Sequence, residues 1–407
     1  MSSFGDSMFG VAVMLWVSQH VAAGQSWMPA ACGGVTACGY VSAVLAAPAV
    51  QLADRHSPRA VMKATEIARL AVTITVTLLA SLPAAALPAV AWLAVIYLAA
   101  GTLTGAGQVF TAARMAAVRD IAPVPEVAKH AAAAAAASST AAILGSALSG
   151  PVTILAGPHV AFAVDAVTYL LSWTAVRRLP SAPHRPGPET DGFGLRAALA
   201  VFREAHALTS LVRVTCTCQL GTGTLTALAV VTVTTNLHAH PASYGLLDAV
   251  LGAGSIAGAV TAVRLASRVQ HRTLVVAGLA AAAAALAGYA WCRNLPEGIA
   301  VLAVYWTAIG TLVTATEPVL VAAAPEGALC RSMAVFQTSN QAAAAVSVVL
   351  SGALASGPLR NLRPAGGGPA TIVLTAGAAL VLLAALTAAR QLPRRLNGNP
   401  AQSGPRN

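Results

Sequence analysis

The sequence predicts an all-α integral membrane protein with about twelve transmembrane helices in two similar halves. Three observations predict it. The 407 residues are 57% hydrophobic and only 9% charged, with a mean hydropathy of +0.72. Soluble domains carry about 25% charged residues to cover their surface. The charges are gathered into short clusters between apolar stretches of roughly 18–25 residues, the length that crosses a ~30 Å hydrocarbon core. Finally, a stretch from the first half of the chain is echoed in the second.

In chain order the spans fall near 3–23, 28–52, 64–82, 86–111, 131–153, 158–176, 208–234, 241–263, 273–292, 298–322, 333–356 and 369–389. Backbone at membrane depth must satisfy its own hydrogen bonds. Long apolar runs without period-2 alternation therefore mean helices rather than a barrel. The fifth span opens on the weakly apolar run Ala131–Ala137, and its Ser, Gly and Ala content fits a helix packed closely against others.

Orientation follows from the basic residues. With the N-terminus inside, nineteen of the 24 Lys and Arg fall on the segments assigned to the cytoplasm. Only Arg293, Arg360 and Arg363 fall on the opposite side, while Arg69 and Arg213 lie within spans. This bias places both termini in the cytoplasm and supports an even number of crossings. Trp27 and Trp291 at predicted outer ends and Trp173 near an inner one suit interfacial anchors.

The same distribution accounts for the net charge of +11: cytoplasmic loops face anionic headgroups, and no contiguous basic face implies nucleic acid. Cys32, Cys38, Cys216, Cys218 and Cys292 fall in or at spans and read as small apolar helix residues; with Cys330 they outline neither a disulfide framework nor a metal site. Asp6 in place of an N-terminal basic cluster argues against a cleavable signal peptide.

Residues 177–207, with Pro180, Pro183, Pro186 and Pro188, form the longest polar interval and divide the chain. The domains are thus 1–176, a six-helix N-terminal bundle; 177–207, a cytoplasmic linker; 208–389, a second bundle; and 390–407, a cytoplasmic tail. An internal repeat supports the division. VQLADRHSPR at 50–59 and VRLASRVQHR at 263–272 share Val50/Val263, Leu52/Leu265, Ala53/Ala266, Arg55/Arg268 and Arg59/Arg272. Each lies between the second and third spans of its half, and Pro125-Glu126 and Pro325-Glu326 repeat between the fourth and fifth. Repeats in the same orientation are a known secondary-transporter architecture.

LADRHSPR (52–59) resembles the loop signature of the major facilitator superfamily, with Leu52, Ala53, Asp54, Arg55 and Arg59 matching and Val50 in place of its first Gly. AFAVDAVTYLLSW (161–173) and YGLLDAVLGAGSIAGAV (244–260) resemble spans six and eight of the drug-exporter branch that includes macrolide and enterobactin efflux proteins. PEGALCR (325–331) resembles the basic loop before span eleven. The fifth span reads GSALSGP (145–151), with the proline displaced from the antiporter pattern. Relatives begin their first span well before the Gly-Asp pair, here Gly5-Asp6, so the resemblance leads to the expectation that this chain starts inside its first helix.

The resemblance implies two six-helix pseudo-symmetric bundles around a central cavity, lined by spans one, four, seven and ten. It implies that Asp54 packs near the start of span eleven and, with Arg55 and Arg59, forms a gating loop that steadies the outward-open state. The second-half copy keeps Arg268 and Arg272 but has Ser267 for the aspartate.

An ionisable group within a span costs at least ~2.5–3.5 kcal/mol on insertion scales, so each needs a partner, a wet cavity or a proton. Glu66 and Arg69, three apart, are positioned to pair. Asp165 is expected to make an interhelical hydrogen bond, and Arg114 and Arg213 to snorkel. Three carboxylates remain as proton-coupling candidates: Asp6 in span one, Asp248 in span eight and Glu317, beside Pro318, in span ten. In span seven, Gln219, Thr222 and Thr226 are candidate cavity-lining residues, although hydroxyls bonded back to their own helix are an equally ordinary outcome.

The leading function is proton-coupled efflux of a small amphipathic drug or secondary metabolite by alternating access. Its partners would be that small molecule, protons and membrane lipids; it would need no cofactor beyond a proton gradient and would work as a monomer in the bacterial cytoplasmic membrane. Nutrient uptake by the same fold is an alternative, and a non-transporting membrane sensor or assembly protein is another. With no basic residue deep in a predicted cavity span, phosphate-bearing substrates are not expected. No Walker motif, metal-ligand cluster or nucleophile elbow suggests an enzyme.

Overall fold

The computed structural model describes residues 2–46, 56–82, 86–121, 126–179, 206–266, 268–323, 329–359 and 368–392. Among them are twelve long helices and no strand. They are α1 (Ser2–Trp16, prolonged by a π-helical turn at Val17–Val21), α2 (Met28–Leu45), α3 (Pro58–Ala80), α4 (Ala89–Ile121), α5 (Val127–Ala156) and α6 (Pro158–Arg177). The second set is α7 (His206–Thr235), α8 (Ser243–Ala266), α9 (His271–Trp291), α10 (Leu295–Ala323), α11 (Leu329–Ser356) and α12 (Pro369–Gln391). One helix corresponds to each predicted span. The predicted linker and tail lie mostly outside the described residues.

Local chemistry explains several starts. Proline occupies the first turn of α2, α3, α6 and α12, where its missing N–H has no intrahelical partner to lose. The α5–α6 junction is one residue long. Gly157 takes it at φ +87°, a backbone conformation costly to any residue with a β-carbon.

Nine of the twelve helices are long and apolar enough by composition to cross a bilayer. In α3, which falls short, Met62, Glu66, Arg69, Thr73 and Val76 are buried at spacings of three and four, while Ile67, Ile74 and Leu78 are exposed. The helix turns its polar stripe inward and its apolar stripe outward, the arrangement expected when the surrounding solvent is lipid.

Packing repeats between the two sets. In the first, α1 packs on α5 and α6, α3 on α4 and α6, and α2 on α4. In the second, α7 packs on α11 and α12, α9 on α10 and α12, and α8 on α10. Adding six to each helix number converts one pattern into the other.

The halves join along α2–α11 and α5–α8, with smaller contacts of α2 on α7 and α1 on α8. Both main seams are tightest at the face opposite the chain termini. There the Ala30 N–H donates to Ser356 Oγ at 3.0 Å. A β-carbon on Gly352 would come within 3.0 Å of the Pro29 carbonyl oxygen, and one on Gly245 would overlap that of Ser146. Small residues let these backbones touch.

Candidate functional site

A cavity of about 600 Å³ lies between the halves. Asp6, Tyr40, Arg69 and Gln108 line it from the first half, and Asp248 and Gln341 from the second. A smaller space of about 160 Å³ adjoins it, sharing Thr36, Tyr244 and Asp248, and is walled by Thr226, Tyr289 and Trp306.

The first-half wall rests on a polar network joining α1, α3 and α6. Arg69 Nη2 donates to Asp6 Oδ1, as does the Tyr169 hydroxyl, and the guanidinium lies 4.4 Å from the centroid of the Tyr169 ring. The Arg69 side chain is 3% exposed and that of Asp6 37%, so the carboxylate meets the cavity and the guanidinium backs it. Beside them, buried Asp165 accepts from Thr73 and Thr168, each at 3.4 Å. Glu66 Oε1 accepts from Ser172 at 2.7 Å, while its Oε2 is buried with no hydrogen-bond partner.

Two expectations are corrected here. The near neighbour Glu66 is not the hydrogen-bonding partner of Arg69: the side chain turns to Asp6 on α1 and Tyr169 on α6, which together offer a carboxylate and a ring face. A basic residue therefore does line the cavity, contributed by α3 and not by one of the spans expected to form its wall. The interhelical hydrogen bond expected of Asp165 is present, to Thr73 on α3.

Asp248 sits on the other side of the cavity, one turn into α8. Ser146 Oγ donates to its Oδ2 at 2.5 Å, a bond that crosses from α5 and therefore from one half to the other. Glu317 is exposed and is not among the residues lining either cavity. On α10 it shares a helical stripe with Leu302, Trp306 and Val313, the first two of which wall the smaller cavity. Eleven residues beyond Trp306, it lies about 16 Å further toward the face carrying the termini.

On α7, Thr226 lines the smaller cavity and its hydroxyl donates to the Gly223 carbonyl at 3.1 Å. Thr222 is buried: it donates to the Cys218 carbonyl at 3.1 Å and accepts from the Tyr305 hydroxyl at 3.0 Å. Both hydroxyls bond back to their own helix. Gln219 is half-buried outside the lining of both cavities.

Of the gating loop, Asp54 and Arg55 lie outside the described residues. Arg59 donates from Nη2 to the Arg177 carbonyl at the end of α6. In the second copy Arg272 donates to the Ala389 carbonyl near the end of α12, and Arg268 is exposed. The sequence reasoning missed Tyr169, Ser146, Tyr244 and Trp306. A signal existed for Tyr169, four residues after Asp165 and so on the same face of α6.

Two pseudo-symmetric sets of six membrane helices with a polar cavity between them define a membrane transporter. The family model described as transmembrane secretion effector matches residues 1–401. The chain belongs to that family, within the major facilitator superfamily.

No curated protein sequence matches the chain. Among solved structures it is similar to a D-xylose–proton symporter, with 15% identity, a TM-score of 0.73 and 98% of each chain covered. It is also similar to a nucleoside transporter, with 12% identity, a TM-score of 0.70 and coverage of 97% of this chain and 100% of that one. A third is the inward-open xylose transporter of E. coli, with 12% identity, a TM-score of 0.67 and coverage of 96% and 95%. At these identities the likeness is one of fold.

Proposed function

We propose that this protein is a proton-coupled exporter of a small amphipathic compound, working by alternating access in the bacterial cytoplasmic membrane with both termini in the cytoplasm. The observation that carries the reading is the placement of Asp6, Arg69 and Asp248 around one cavity between the halves. The description of the matching family as a secretion effector supports export over uptake. The excess of Lys and Arg on alternate loops supports the orientation.

The chemistry follows from the network. Ionised Asp6 ties α1 to α3 through Arg69 and to α6 through Tyr169. A proton on Asp6 cancels the attraction to Arg69, so the two protonation states hold α1 differently. Proton movement is then linked to the position of a helix that lines the substrate path. Glu317, exposed on α10 in line with Leu302 and Trp306, is the corresponding candidate in the second half.

Everted membrane vesicles with an acid interior test the reading. Addition of ethidium or of uncharged chloramphenicol should release protons from vesicles containing the protein, read by a pH-sensitive dye. Asp6→Asn and Glu317→Gln should each lower that release at least tenfold with the protein still in the membrane. Proton release by neither compound would overturn the proposal, and full release in one variant would remove that residue from the coupling path.

A further inference from the structure

Resting on that reading of the cavity, we infer that Asp248 is the docking carboxylate for the substrate and that the substrate class is a lipophilic organic cation carrying an aromatic or similarly flat apolar group.

Among the described residues lining the two cavities, Arg69 is the sole Lys or Arg, and it is bound to Asp6. Asp248 has the hydroxyl of Ser146 as its partner, a dipole and not a counter-charge. One carboxylate of the pair is thus neutralised inside the protein and the other is left facing the cavity with a single neutral donor. A carboxylate at this depth is costly unless a cation or a proton joins it. A substrate cation supplies what the wall lacks.

Shape points the same way. Asp248 borders both spaces, so a charge bound there has the 160 Å³ pocket beside it. That pocket is walled by Tyr244, Tyr289 and Trp306 together with Leu225, Leu247 and Leu302. Aromatic faces attract a cation and pack against flat apolar groups. The remaining bulk of a ligand has the 600 Å³ space, whose second-half side offers Gln341 for hydrogen bonding. An anion would meet Asp248 without a free cation to hold it; a neutral molecule would leave the carboxylate uncompensated.

The position of Ser146 adds a further link. Its bond to Asp248 joins α5 to α8 at a seam between the halves. A cation seated on Asp248 competes with that hydroxyl for the same oxygens, so docking weakens a bond that holds this seam together.

Equilibrium binding without any ion gradient tests the inference separately from proton coupling. The probes are tetraphenylphosphonium and the isosteric anion tetraphenylborate, applied to purified protein in lipid nanodiscs. Saturable binding of the phosphonium, with affinity at least tenfold above that of the borate, is expected for the unmodified protein. Asp248→Asn should weaken phosphonium binding at least tenfold, and Asp248→Glu should retain it. Trp306→Leu should weaken it severalfold while leaving the preference for the cation. Equal affinity for the two ions in the unmodified protein, or undiminished phosphonium binding by folded Asp248→Asn, would overturn the inference. If the phosphonium binds as expected while the vesicles release no protons, the substrate class stands and proton coupling fails; the reverse pattern sinks the class alone.

Discussion

Arg59 on α3 and Arg272 on α9 make the same bond in the two halves: each donates to a backbone carbonyl at the end of its half's last helix, Arg177 on α6 and Ala389 on α12. Each also keeps a buried Nε with no hydrogen-bond partner. The repeated arginines seen in the sequence are thus fixed by a repeated structural role. A guanidinium at a helix C-terminus meets carbonyls that lack intrahelical partners and the negative end of the helix dipole.

Removing either arginine should therefore loosen the outermost turn of its half. Arg59→Ala and Arg272→Ala are each expected to cost about 1–2 kcal/mol, below the ~1.5–3 of a buried hydrogen bond to a charged group because the sites are partly exposed. Lysine should restore part of the loss at both positions. Thermal unfolding of the purified protein checks this; an unchanged midpoint for both alanine variants would assign the bonds no energetic role.

The Asp6–Arg69 pair makes a sharper energetic prediction. Asp6→Asn strands a guanidinium that is 3% exposed, a change expected to cost about 3–5 kcal/mol. Arg69→Gln leaves its partner carboxylate 37% exposed to the cavity and should cost less. The double variant Asp6→Asn/Arg69→Gln should recover a large part of the Asp6→Asn loss. Additive losses in the double-mutant cycle would mean the two side chains do not act as a pair.

The seam between α2 and α11 can be locked. Ala30 and Ser356 are hydrogen-bonded at 3.0 Å, so Ala30→Cys with Ser356→Cys should form a disulfide on oxidation in a background without other cysteines. Transport should stop on oxidation and return on reduction. Full transport by the oxidised protein would show that this seam need not open.

Sidedness is checked by thiol labelling of intact cells. His238, exposed between α7 and α8, should react as cysteine with a membrane-impermeant reagent from outside. Arg268, exposed between α8 and α9, should react as cysteine only after permeabilisation. Labelling of position 268 in intact cells would reverse the orientation proposed for the chain.

The fold was largely legible because lipid imposes a simple rule of length and apolarity. Where boundaries moved, the cause is visible. α4 runs to Ile121, well past the predicted end at 111, because Arg114, Arg119 and Asp120 end the apolar stretch without ending the helix. The site was less legible. Spacing along one helix placed Glu66 beside Arg69, but no spacing rule joins residue 69 to residue 6; that meeting depends on how α1 and α3 pack. Likewise the exposure of Glu317 depends on the rotation of α10 about its own axis, which a uniformly apolar helix does not record in its pattern.

The glycines at the seams have a mechanical consequence. Where Gly352 lies on Pro29 and Gly245 on Ser146, bare backbone rests on bare backbone, and no long side chain interlocks across the joint at those points. Meshed teeth must disengage before two bodies can turn; smooth surfaces roll. The halves can therefore pivot there without any side chain leaving its rotamer well, and little resistance to the swing arises from those two joints. Polar links cross the same joints, Ala30 to Ser356 and Ser146 to Asp248, and their release is a matter of solvation and charge.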